Sequence, residues 1–280
     1  MCDRIAVVAN EQTSNAIPRK GSVLGIDVGW STRCDTTAVC RLLWGEGVVR
    51  WKIRRCRAED PARENTLTDV AGTDRLLSVA IDGPLRRGFD EIDEYRVAER
   101  LLTRGTMRQI GKPGQSNSPN GRKLNCQANY WARIVAKKPI SNATHDWPVH
   151  TKRIVEAFPT SFLGVMIDNP EEVREDGKRS DWYFRYMANG QGLDKFVGAL
   201  LPDSRWERPP SEIVDHDDRA AFVCALTALC VAHGSYVAVG DKDNGWITLP
   251  PQSMFAKWAW KALQANVCQN GGVGCVAHGR

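Results

Sequence analysis

No apolar run in this 280-residue chain approaches the roughly 18 residues that a membrane helix needs. The opening stretch, MCDRIAVVANEQTSNAIPRKG, lacks the apolar core of a secretory signal. Both absences predict a cytoplasmic protein with no membrane partner. There is no C-x-x-C pair among the nine cysteines, so no zinc or dithiol motif is written in the usual spacing. Cys224 and Cys230 fall inside an apolar run and are expected as buried thiols. Cys268, Cys275 and His278 sit in a glycine-rich end that is predicted to fray rather than to bind metal. No G-x-x-x-x-G-K-[ST] loop, no serine or cysteine nucleophile motif and no internal repeat is present, which removes P-loop nucleotide chemistry, acyl transfer and solenoid architectures.

One further absence is local. Between Thr103 and Lys138 there is no Asp or Glu, while Arg104, Arg108, Lys112, Arg122, Lys123, Arg133, Lys137 and Lys138 all occur. The whole chain carries only +5, so the remainder is mildly acidic. A basic block in such a chain suits a polyanion. Arg104, Arg108, Lys112, Arg122 and Lys123 are the candidate contacts to the phosphates of DNA or RNA. Trp131, in the same block, is a candidate for stacking on a base, with core packing the plainer expectation.

What is present reads as one α/β domain over 21–251, with a tail at 1–20, a basic insertion at 103–138, and a helix and glycine-rich tail over 252–280. A composition of 42% hydrophobic and 25% charged residues is that of a globular protein. Ser22 to Val28 is apolar on both faces, as in a central strand. Thr37 to Leu43 and Val48 to Cys56 follow as strands joined by Gly45-Glu46-Gly47. Further strands are expected at Leu77 to Ile81 and Lys152 to Phe158, with a terminal hairpin around Asp243-Asn244-Gly245. Helices are expected before Leu77, over Glu91 to Leu102, over Asn129 to Val135, within Asp181 to Leu201 and over His216 to His233. The Gly-, Pro-, Ser- and Asn-rich stretch from Gly105 to Asn125 reads as a long loop.

Acids gather at the ends of these elements. Asp27 and Asp82 close two buried strands, Glu156 lies in a third, and Asp215, Asp217 and Asp218 open the last long helix. Each has a structural reading as well, in a turn or as an N-cap. Ligands of open α/β sheets bind at the carboxyl ends of strands. If Asp27 and Asp82 are on neighbours, about 4.8 Å apart, they can share a hard cation. Oxygen-only ligands suit Mg²⁺ or Mn²⁺. Asp217 shares a helix stripe with Ala220, Ala221, Cys224 and Ala228, which directs it towards Asp27, with Asp218 the second choice. His216 is a candidate for proton transfer.

The segments GIDVGW, AIDGPL, VEAFPTSFLG, DHDDRAAFVCALTA and GWITLPP resemble the family called domain of unknown function 429, described as nucleases of ribonuclease H-like fold. The resemblance runs from Gly21 to Pro251. It implies a mixed five-stranded sheet with helices on both faces, and an acidic site made of Asp27, Asp82, Glu156 and Asp217, with Asp218 as a substitute. Resolvase-type relatives carry a second acid three positions after the first, where this chain has Ala220. The expected activity is metal-dependent hydrolysis of nucleic-acid phosphodiesters, with Asp27, Asp82 and Asp217 as metal ligands. Two alternatives stand beside it. One is a catalytically silent nucleic-acid-binding domain. The other is an ATP-dependent phosphotransferase of actin-like fold, because Gly25 to Gly29 followed by Ser31 and Thr32 also resembles the first phosphate loop of those enzymes.

Overall fold

The apolar run that begins at Ser22 is covered on both sides, and the sheet extends outward from it. The computed structural model describes residues 6–8, 17–111 and 113–278. Along the chain the elements are β1 (Ala6–Val8), β2 (Gly21–Asp27), β3 (Thr37–Gly45), β4 (Val48–Cys56), α1 (Asp60–Ala71), β5 (Val79–Asp82), α2 (Val97–Thr103) and α3 (Pro119–Val135). They continue with β6 (Ile154–Ala157), α4 (Pro159–Gly164), α5 (Arg179–Asn189), α6 (Gly192–Leu200), β7 (Arg205–Trp206), α7 (His216–His233), β8 (Tyr236–Asp241), β9 (Gly245–Leu249), α8 (Lys257–Gln269) and β10 (Cys275–His278).

The protein is an α/β fold around one large mixed sheet. The strand order is β1-β10-β8-β9-β6-β5-β2-β3-β4-β7, ten strands among the described residues where five were expected. The difference comes from both margins. The β8–β9 hairpin pairs β9 in parallel with β6, β10 and β1 add outside β8, and β7 adds beside β4. Within it, β2, β3 and β4 form an antiparallel meander, and β5 and β6 continue from β2 in parallel. The β3–β4 turn forms as the sequence dictates. Glu46 and Gly47 take φ of 56° and 73°, the left-handed pair that a tight hairpin of right-twisted strands requires.

Side chains alternate between the two faces of each strand. On one face Val23, Ala38, Cys40, Leu42, Ala80 and Val155 pack under α7. On the other, Leu24, Ile26, Val39, Val79, Ile81 and Ile154 pack under α1 and α3. Among the described residues, no helix is long and apolar enough to cross a membrane.

Three expectations are corrected here. The helix expected from Glu91 starts only at Val97, because Arg96 is extended (φ −77°, ψ 158°) and its side chain is drawn into the core by two glutamates. The expected loop from Gly105 to Asn125 contains a 3-10 turn at Gly105–Ile110, and α3 already starts at Pro119. Ser118 caps that helix by accepting from Gly121 N at 3.0 Å, and Pro119 suits its first turn. Among the described residues the C-terminal segment is not frayed: β10 sits between β1 and β8, with Cys275 and His278 buried.

Candidate active site

Asp27 and Asp82 are the last residues of β2 and β5. The two strands are adjacent and parallel, and Asp27 and Asp82 are direct register partners on the α7 face. Gly25, two residues earlier on that face, lets α7 approach. A Cβ at Gly25 would stand 2.1 Å from Ala225 N and 2.3 Å from Ala221 O, so any larger residue would push the helix away. Ala221 and Cys224, on the stripe expected to face the sheet, share this contact with Ala225, and the thiol of Cys224 lies beside both acids.

The pair is half-buried and tightly coupled. Burial pushes the Asp27 carboxyl well above the ordinary carboxylate range, and the charges of Asp82 and Asp217 push the same way. Burial, then the charge of Glu156, pushes Asp82 up to about 7. The hydrogen bond between them raises Asp27 and lowers Asp82, so a shared proton rests on Asp27. Without a counter-charge the two carboxylates resist ionising together.

The start of α7 supplies the rest of the acidic rim. Asp215 is the N-cap, accepting from Asp217 N at 3.0 Å, and it pairs with Arg55 at 2.8 Å. Asp217 is the member of this group whose charge acts on Asp27. Burial raises its carboxyl, while His216, Lys178 and Arg55 oppose the rise. Asp218 turns towards β3 and β4, 3.4 Å from Arg55, where its charge acts on Cys40. His216 is held by Asp181 at 3.1 Å, and Arg219 joins the same carboxylate at 3.4 Å.

Glu156 is not part of this group. It is the register partner of Ile81, so it lies on the face opposite Asp27 and Asp82. There it is 3% exposed and grips Arg96 with both oxygens, at 2.7 and 2.8 Å, while accepting Leu85 N at 2.8 Å. Arg96 also pairs with Glu99, which in turn takes the amide and hydroxyl of Ser116. Glu156 is thus a structural acid that fixes the turn after Asp82. Among the described residues, no group of three or more His, Cys, Asp or Glu side chains is placed to hold a metal ion. The structure therefore brings Asp27 and Asp82 together, sets Asp217 nearby and diverts Glu156 and Asp218 to arginines.

The basic candidates are divided. Arg104 and Arg108 follow α2, whose side chains join the α7 core, whereas Arg122 and Lys123 ride on α3 in the other half. All four are exposed, and Lys112 lies outside the described residues. Arg108 and Arg179 border a recess of about 480 Å³ that Tyr95, Thr103, Gly111 and Gln115 also line. Trp131 is fully buried, so it packs and does not stack on a ligand.

Two residues near the acids carried no distinguishing signal in the sequence. Lys178 lies in a polar stretch like many surface lysines, yet its charge acts on both Asp27 and Asp217. Trp30 is 47% exposed three residues after Asp27. No family model, curated protein or solved structure matches the chain.

Proposed function

We propose that the protein is a metal-dependent nuclease of ribonuclease H-like fold, with Asp27 and Asp82 at its centre. The observation that carries this reading is the register pairing of two carboxylates at the ends of adjacent parallel strands. Support comes also from the five-stranded mixed unit β4-β3-β2-β5-β6 inside the larger sheet, with helices on both faces. The motif resemblance to the domain of unknown function 429 family points to the same chemistry.

The residues present fit a hard divalent ion, Mg²⁺ or Mn²⁺. Both donors are carboxylate oxygens, they are crowded enough to repel, and magnesium is commonly held by one or two carboxylates completed by water and substrate phosphate. Asp27 and Asp82 would hold it, with Asp217 adding negative charge from α7. When bound, such an ion polarises a phosphoryl oxygen and makes water a better nucleophile. The chain's own contribution is placement. Gly25 seats α7 so that Asp217 overlooks the pair, Arg55 ties down Asp215 and Asp218, and Lys178 offers a cation to an incoming phosphate. Arg104, Arg108, Arg122 and Lys123 are the surface contacts for the nucleic-acid backbone.

The test is direct. Purified protein is incubated with labelled single-stranded and duplex DNA and RNA in Mg²⁺, Mn²⁺ or EDTA. Cleavage with either metal, absent in EDTA and lost in Asp27→Asn with a cooperative fold retained, is the expected result. No cleavage of any substrate, or cleavage indifferent to EDTA or to Asp27→Asn, overturns the reading.

A further inference from the structure

Ten tryptophans occur in the chain, and nine are buried or half-buried. The exposed one is Trp30, with 47% of its surface in solvent. A single exposed apolar residue is ordinary on a protein surface; what sets Trp30 apart is that it lies three residues beyond Asp27, the last residue of β2.

Its position is fixed rather than free. On one side, Gly29 N donates to Thr37 Oγ1 at 3.0 Å, and the same hydroxyl donates to Gly29 O at 3.2 Å. A Cβ at Gly29 would lie 2.2 Å from Thr36 Oγ1, so the chain can leave β2 along this path only with glycine there. On the other side, Ser31 Oγ accepts from Arg33 N and Cys34 N at 3.2 and 2.9 Å, and Ser31 O accepts from Ala58 N at 2.8 Å. Both neighbours of Trp30 are therefore tied down, and the indole is presented from a braced turn. Three residues span at most about 10–11 Å, so the ring stands within a nucleotide or two of Asp27. Exposed Arg33 follows three residues later in the same loop, and exposed Lys178 is close enough for its charge to act on Asp27.

We propose that Trp30 is the stacking platform for an unpaired base, so that the strand entering the Asp27–Asp82 site is single-stranded; this rests on the nuclease reading of that site. An indole face takes up a base only by contact with the base's own face. In a duplex those faces are covered by neighbouring pairs, whereas an unpaired base offers one freely. The basic residues hold the backbone of either form, and Trp30 discriminates between them.

The experiment measures binding, in EDTA so that no strand is cut. A short fluorescein-labelled single-stranded oligonucleotide and its duplex are titrated with wild-type protein, Trp30→Phe and Trp30→Ala, and anisotropy is followed. Trp30→Ala is expected to weaken single-strand binding by roughly 5- to 100-fold. Trp30→Phe should stay within about threefold of wild type, because a ring remains, and duplex affinity should not change. Equal thermal unfolding of all three proteins shows that the surface change leaves the fold intact. Unchanged single-strand affinity in Trp30→Ala, or an equal loss for both probes, overturns the proposal. If the wild type binds neither probe, the nuclease reading falls with it; if the wild type binds and cleaves but Trp30→Ala changes nothing, this proposal alone falls.

Discussion

Replacing Asp27 with Asn should stabilise the metal-free protein, and the gain should depend on pH. Two charges about 4.8 Å apart repel by about 3.5 kcal/mol at an effective dielectric constant near 20. The displacement of Asp82 from 3.8 to about 7 corresponds to about 4 kcal/mol at 1.36 kcal/mol per pH unit. That displacement comes from burial and the charge of Glu156, so it adds to the repulsion between the pair instead of measuring it. The sign follows from the direction of the shift. A carboxyl whose folded-state value is raised binds its proton more tightly when folded, so its contribution is fully present below the unfolded value of 3.8 and is lost as pH rises through about 7. In EDTA the wild type should therefore lose stability between pH 4 and 8. Asp27→Asn removes the partner charge and keeps a donor towards Asp82. It should match the wild type near pH 4 and exceed it by about 2–4 kcal/mol at pH 8, roughly 5–10 °C in unfolding midpoint. Thermal and urea unfolding at several pH values in EDTA measure this. Adding Mg²⁺ at pH 8 should raise the midpoint of the wild type more than that of the variant. A stability difference that stays constant from pH 4 to 8 would refute the coupling between the two acids.

Glu156→Leu should destabilise the protein by about 3–5 kcal/mol, because the buried Arg96 guanidinium loses its bidentate carboxylate and keeps Glu99 as its one carboxylate partner; a loss under about 1 kcal/mol in urea denaturation would contradict the structural role given to Glu156. His145, whose Nδ1 accepts from Trp147 N and whose Nε2 meets the Tyr236 hydroxyl, is pushed down to about 4 by burial and by the charges of His278 and Arg153. Its folded-state value is depressed below 6.5, so its contribution is present above that pH and is lost as pH falls through about 4; the imidazole resonances should report a neutral ring at pH 5.5. If all the candidate arginines and lysines touch phosphate, Arg104→Ala with Arg108→Ala, and separately Arg122→Ala with Lys123→Ala, should each reduce the salt dependence of duplex DNA binding by about two in the log–log slope. A reduction in only one pair identifies which half of the molecule faces the nucleic acid.

The local grammar of the chain was legible without a structure. The β3–β4 hairpin follows from Gly45-Glu46-Gly47 between alternating strands, and α7 runs from the Asp215 cap to Gly234, which takes the left-handed conformation of φ 78°. The stripe of small residues on α7 directs Asp217 towards Asp27, and the backbone of Ala221 and Ala225 comes so close to Gly25 that only glycine fits there. These features depend on neighbours in sequence, through turn geometry, capping and helical period.

Only the tertiary structure decided which acids meet. Glu156 and Asp82 both lie in buried strands, and their difference is one of face. A side chain's face is set by strand register, which is fixed by pairing partners distant in the chain. Ile81 pairs with Glu156, and that one-residue offset from Asp82 sends Glu156 to Arg96 on the opposite face from Asp27 and Asp82. The strand count was decided in the same way, since β10 is a short segment after a glycine-rich stretch and gains its hydrogen bonds from β8 and β1. Exposure, too, belongs to the assembled molecule. Trp30 and Trp131 are the same residue type in unremarkable local contexts, yet packing buries Trp131 on the inner face of α3 and leaves Trp30 exposed three residues after Asp27.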